Sequence, residues 1–127
     1  MVEKFNIDDE VIVIPVTIET EDLIKDLYFI VDTGASNTLI CEHALRRIGY
    51  IPANADREVP IQGIGGPCMA SVHTIPSITA LGLTKRNFEV LSNPMPERSG
   101  AQGLLGLDFF KDKDLYISFR NGTIQLI

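Results

Sequence analysis

The sequence lacks a basic excess. Eleven Lys and Arg stand against seventeen Asp and Glu, giving a net charge of −6 at pH 7 with both signs mixed along the chain. That excludes the electrostatic footprint of a nucleic-acid-binding protein and the polybasic patch of a membrane-surface protein. It has no apolar run long enough to span a bilayer, and its start, MVEKFNIDDE, has no apolar core of a secretory signal. Cysteine is scarce: Cys41 and Cys68 are the only two, and neither sits in a C-x-x-C pair. A disulfide framework and a dithiol redox motif are thereby excluded, and reduced thiols in the cytoplasm are expected. There is no internal repeat of about 20 to 50 residues and no low-complexity tract. The 127 residues are expected to form one domain, 1–127, large enough to bury a core without staples.

The patterns along the chain are mostly those of strands. Residues 11–18 (VIVIPVTI) are β-branched and apolar, with Pro15 marking an edge or a bulge. After a turn at 19–22, residues 27–31 form a second strand that ends at Asp32. Residues 42–48 carry Ala44, Leu45 and Ile48 at helical spacing, with Gly49 as the stop. Residues 57–61 and 70–75 flank the glycine-rich turn QGIGGP and predict a hairpin. Two more short strands are expected at 77–81 and 87–91. A polar loop follows at 92–102, then the apolar run GLLGLDFF at 103–110. Residues 115–119 and 123–126 surround Asn121-Gly122, a strong hairpin signal. Many short strands with one or two short helices predict an all-β barrel or sandwich.

One stretch resists this pattern. In FIVDTGASNTLI, residues 29–40, an apolar strand runs straight into the carboxylate of Asp32. A buried, unpaired charge is expensive. Asp, Thr and Gly are also ordinary turn residues, so the triplet by itself marks only a polar turn.

Its surroundings carry more. An apolar strand, Asp32-Thr33-Gly34, a small residue and a second apolar run resemble the active-site loop of the pepsin/retropepsin clan of aspartic proteases. Leu104-Leu105-Gly106 resembles the apolar-apolar-Gly segment that crosses that loop. Gly63-Ile64-Gly65-Gly66 resembles the tip of the retroviral protease flap, and Pro94-Met95-Pro96 falls where that family has a proline-containing loop lining the cleft. The four elements come in the family's order, and the chain resembles retropepsin-like proteases from about residue 11 onward. GLLGLDFF is more similar to cellular and bacterial members than to viral ones.

The resemblance implies a closed, mostly antiparallel acid-protease barrel and an endopeptidase acting on polypeptides without metal or organic cofactor. Its chemistry uses two carboxylates sharing one proton, one as general base towards a water and the other as acid towards the scissile carbonyl. With one D-T-G per chain, the second Asp32 must come from a second copy, and a C2 homodimer supplies it. Thr33 and Gly34 are implied to fix the geometry of the dyad. Ala35, Gly63, Ile64, Gly65, Gly66, Met95 and Leu104 are implied to meet substrate, although ordinary core packing accounts for Ile64, Met95 and Leu104 equally well. Ala35 lacks the hydroxyl that a Ser there would aim at the aspartate. Viral enzymes also pair an acidic residue after D-T-G with an Arg after the second glycine. Here Ser36-Asn37 and Leu107-Asp108 stand in those places, so that ion pair cannot form. The apolar closing residues 125–127 and the hairpin at Asn121-Gly122 become the expected dimer contact, with a strand paired inside its own subunit as the alternative.

Other chemistries have weaker support. Cys41, His43, Cys68 and His73 match no common zinc spacing. Cys41 and His43 lie two residues apart at a helix start and point to different sides, which argues against a Cys-His nucleophile. The alternative of another class is a protease-like module that binds peptides or dimerises without catalysis; the intact D-T-G argues against it.

Overall fold

The structure, a computed structural model, describes residues 1–127 apart from Ile64 and Arg98, with Gly63 described by its backbone alone. Among the described residues, ten strands and two short α-helices follow one another: β1 (Val2–Lys4), β2 (Val13–Glu19), β3 (Ile24–Val31), β4 (Leu39–Cys41), α1 (Glu42–Arg47), β5 (Arg57–Gly63), β6 (Gly66–Ala80), β7 (Leu83–Asn93), β8 (Gly103–Leu105), α2 (Leu107–Phe110), β9 (Leu115–Ser118) and β10 (Thr123–Leu126).

Six strands close a barrel in the order β2-β3-β8-β4-β7-β6, with β6 returning to β2, and β5 hangs on β6 outside the ring. The pairings β3–β8 and β4–β7 are parallel and the rest antiparallel. The barrel is thus all-β and mostly antiparallel, as expected. Period-two alternation fills it. In β2, Ile14, Val16 and Ile18 are fully buried while Pro15 and Thr17 face the other side. Phe29, Ile40, Ile75, Ile78, Val90, Leu105 and Phe109 join them, and α1 covers one end with Ala44 and Leu45. Its charges suit the helix dipole, with Glu42 in the first turn and Arg46 and Arg47 in the last. Gly49, at φ +101°, ends it as expected.

Residues 70–75 and 77–81 are not separate strands. Both lie in β6, a 15-residue strand that runs through Pro76, except Leu81, which falls in the turn after it. Its first half pairs with β5 up to Val72, and residues 77–79 pair with β2. Pro76 falls between these two partners, where a missing N–H breaks no ladder on that side. Opposite it in β7, Asn87 takes φ +51°. Leu81-Gly82 forms the β6–β7 turn with both φ values positive, +53° and +79°. That is the mirror-type turn favoured by tight hairpins.

A second sheet has the order β1-β10-β9. Its central strand is β10, so the apolar end of the chain finds partners within its own subunit. Ile127 and Asp114 exchange both backbone hydrogen bonds, at 2.8 and 2.9 Å. Ile124 and Leu126 face the barrel core. No helix among the described residues is long and apolar enough to cross a membrane.

Candidate active site

The barrel delivers Asp32 at the end of β3. Val31 donates its N–H to Ile12 O at 2.8 Å, and Asp32 donates its own to Leu105 O at 3.0 Å. The chain then turns, with Ala35 N–H on Asp32 O at 3.1 Å. Within that turn the Gly34 N–H donates to Asp32 Oδ1 at 3.0 Å. Oδ2 has no hydrogen-bond donor among the described residues, and the side chain is half-buried beside the exposed Thr33. The carboxylate that closes an apolar strand is therefore held by one backbone donor and open on its other side.

β8 threads between the two strands that flank this turn. It lies parallel to β3, with Val31 opposite Leu105, and antiparallel to β4, with Leu39 opposite Leu104. The passage is tight. A Cβ on Gly103 would stand 2.6 Å from Leu39 O and 3.0 Å from the Phe29 ring. Past β8, Leu107 donates its N–H to Ala35 O at 2.9 Å, and Asp108 donates to Ser36 O at 3.3 Å. The first amides of α2, which have no partner inside the helix, are satisfied by the carbonyls of the turn. Asp32, Gly34, Ala35 and the residues around Leu104 are brought together in this way.

A further pair belongs to the same place. Thr38 is fully buried. Its N–H lies 2.9 and 3.0 Å from the two oxygens of Asp108, and its hydroxyl donates to Asp108 Oδ1 at 2.7 Å. The same hydroxyl accepts the Gly106 N–H at 3.1 Å. From sequence, Thr38 counts as one residue of an apolar run and Leu107-Asp108 as a missing arginine. The signal is a hydroxyl at the head of an apolar run, because a buried polar group needs a partner.

The other expected site residues have separate settings. Gly63 and Gly66 pair across the end of the β5–β6 hairpin, and Gly65 between them is exposed. Ile64 lies outside the described residues. Among the described residues, this tip makes no hydrogen bond to residues 32–38. Met95 is half-buried and packs against the barrel core, and Leu104 is half-buried in β8.

The thiols and imidazoles are dispersed. Cys41 is buried ahead of α1 with its Sγ 3.8 Å from Pro96 O, and burial pushes its thiol up, with Glu97 adding to the shift. A thiol nucleophile needs the opposite shift. Cys68 is exposed on β6 and His43 is exposed on α1. His73 is buried with its ring edge-on to Tyr50 at 5.5 Å. Among the described residues, no three His, Cys, Asp or Glu side chains gather as a metal site.

Comparison with known proteins follows this geometry. A family model described as aspartyl protease matches residues 14–109. The chain is similar in structure to a retropepsin-like aspartic protease from Rickettsia conorii, with a TM-score of 0.74 at 17% identity over 99% of this chain and 88% of that one. It is also similar to EIAV protease complexed with the inhibitor HBY-793, with a TM-score of 0.61 at 21% identity over 83% of this chain and 89% of that one. No curated protein matches the chain by sequence.

Proposed function

This chain belongs to the aspartyl protease family and has its retropepsin-like fold, and on that premise we propose that it is an aspartic endopeptidase whose active site forms at the axis of a homodimer. The observation that carries the proposal is Asp32: one per chain, directly after β3, with one oxygen on the Gly34 N–H and the other without a donor among the described residues. On a twofold axis that open side meets Asp32 of the partner subunit.

Two carboxylates at such close range share a proton. The charged one takes a proton from a water between them as the water oxygen attacks the scissile carbonyl carbon. The protonated one gives its proton to the carbonyl oxygen. Collapse of the tetrahedral intermediate breaks the C–N bond, and a carboxyl proton goes to the departing amine. The acid and base are both side chains, so this chemistry calls for neither metal nor organic cofactor. Thr33 and Gly34 hold the geometry. The β5–β6 hairpin, with Gly63, Gly65 and Gly66 at its tip, closes over an extended peptide. Ala35, Leu104 and Met95 line the cleft, and the substrate pairs its backbone in strand fashion. Two unpaired thiols suit a reducing, cytoplasmic setting.

The surface beside Asp32 supports a second copy. A groove of about 300 Å³, whose lining includes Phe5, Ile7, Ile12, Val31 and Phe119, starts at the residue preceding Asp32. Phe119 is 68% exposed and Ile7 55%, and the Phe5 and Phe119 rings meet edge to face at 6.2 Å. A copy approaching through Asp32 covers these exposed apolar side chains, with Asn6, Asp9 and Glu10 also lining the groove.

The test is cleavage of an unfolded protein between about pH 3 and 8, comparing wild type with Asp32→Asn at high protein concentration. Cleavage abolished by the substitution is expected. A dimeric sample that cleaves nothing would instead favour a peptide-binding module, and equal cleavage by both proteins would remove the aspartyl mechanism.

A further inference from the structure

We propose that Asp108 is the positioning residue of the Asp32 loop, holding it to the barrel through the Thr38 hydroxyl; the proposal rests on the protease reading above. The loop from Asp32 to Thr38 is tied at three levels. At its front, Asp32 N–H reaches Leu105 O. In its middle, the amides of Leu107 and Asp108 reach the carbonyls of Ala35 and Ser36. At its back, both donors of Thr38 converge on the Asp108 carboxylate.

The third tie has a direction. An ionised carboxylate only accepts hydrogen bonds. It therefore fixes the Thr38 hydroxyl proton towards itself and leaves the Oγ1 lone pair free for the Gly106 N–H. Gly106 N–H, Thr38 hydroxyl and Asp108 carboxylate form one chain of donors and acceptors, and it crosses between the two segments that must stay in register for Asp32 to keep its place. Such chains strengthen one another when every member is satisfied.

Asp108 is itself held from the barrel. Lys85 on β7 donates its ammonium to Asp108 O at 3.0 Å, and that ammonium lies 5.6 Å from the Phe109 ring centre and 5.9 Å from that of Phe88. Asp108 is thus held through its backbone carbonyl by a lysine set over packed aromatic rings, and its carboxylate reaches the loop. A site is precise when rigid elements support it in this manner. The position also answers a question raised by the sequence. With Leu107 where viral relatives carry Arg, that ion pair is missing, and a carboxylate one residue later braces the loop through the backbone and hydroxyl of Thr38.

The experiment measures kcat and KM for Asp108→Ala, Asp108→Asn, Thr38→Val, Thr38→Ser and the double variant Asp108→Ala/Thr38→Val, with amide exchange of the same dimeric samples. Asp108→Ala and Thr38→Val are expected to lower kcat by roughly 10- to 100-fold, since a misplacement of about 1 Å has that effect. KM should stay within about twofold, because the loss falls on the reacting groups and not on substrate binding. Thr38→Ser keeps the hydroxyl and should restore most of the rate, and Asp108→Asn, with one acceptor left, should fall between. The double variant should be no slower than the worse single one, as for members of one network. Exchange should rise at residues 33–38 and stay unchanged in β9 and β10. Unchanged kcat in a folded, dimeric Asp108→Ala, or a Thr38→Ser as slow as Thr38→Val, would overturn the proposal. If Asp108→Ala does not fold, Asp108→Asn and the two Thr38 variants decide. If wild type itself cleaves nothing, the protease reading fails separately, and the exchange comparison alone judges the clamp.

Discussion

Gly106 stands against the backbone of Asn37: a Cβ on Gly106 would lie 2.6 Å from the Asn37 carbonyl carbon and 2.7 Å from its oxygen. The Ala35 carbonyl oxygen would be only 3.0 Å away. Both neighbours are backbone, so neither can swing aside as a flexible side chain would. Gly106→Ala is therefore expected to push the 35–37 turn away from β8, cost about 1–3 kcal/mol of stability by overpacking and lower the rate of the folded fraction. Urea unfolding with parallel rate measurements checks this; unchanged stability and rate would show that the two segments part freely.

Phe119 lies in the loop between β9 and β10 and is exposed against Phe5. If that surface is covered by a second copy, Phe119→Asp should weaken the dimer by roughly tenfold or more, as expected for an aromatic anchor. Sedimentation across a concentration series would show it, and activity should return at high concentration by mass action. An unaltered dimer constant would move the interface elsewhere.

Ala35 is half-buried next in sequence to Gly34, whose amide holds Asp32. Ala35→Ser adds a hydroxyl donor beside the carboxylate, which favours its charged form. The pH–rate profile should move towards acid by a few tenths of a unit to about one unit. An unmoved profile would mean that the new hydroxyl finds another partner.

His73 gives stability a pH dependence. Burial lowers its pKa from the ordinary 6.5, outweighing the opposite pull of Asp56 and Glu58. Below about pH 6.5 the unfolded chain takes up a proton that the folded chain resists, so stability falls as the pH drops towards the folded value. Above pH 6.5 the group contributes nothing. Denaturant unfolding at pH 7.5 and 5 should show a smaller loss for His73→Gln than for wild type; equal losses would place the acid sensitivity on other groups.

Much of this was legible from local chemistry. Gly49, the 57–75 hairpin and Asn121-Gly122 each announce an element through residues that sit next to each other. The same holds for the apolar strand that ends in D-T-G. What stayed hidden depends on distant partners. β1 is three residues of a charged segment, VEK, and becomes a strand only because Thr123, Ile124 and Gln125 lie beside it. Pro76 broke the pattern of β6 on paper, but the change of partner from β5 to β2 leaves it room. Thr38 and Asp108 are 70 residues apart, and no local pattern joins a hydroxyl in one apolar run to a carboxylate after another.

The most direct test of a shared site is a subunit-mixing titration. Wild type and Asp32→Asn are combined in varied proportion, dissociated and reassembled, and the rate is read at constant total protein. A site built from one Asp32 of each subunit predicts that only all-wild-type dimers cleave. At equal proportions the rate should then drop to about a quarter of the wild-type value and follow the square of the wild-type fraction. A rate of about one half, linear in that fraction, would mean that each chain works alone, and the dyad would be wrong.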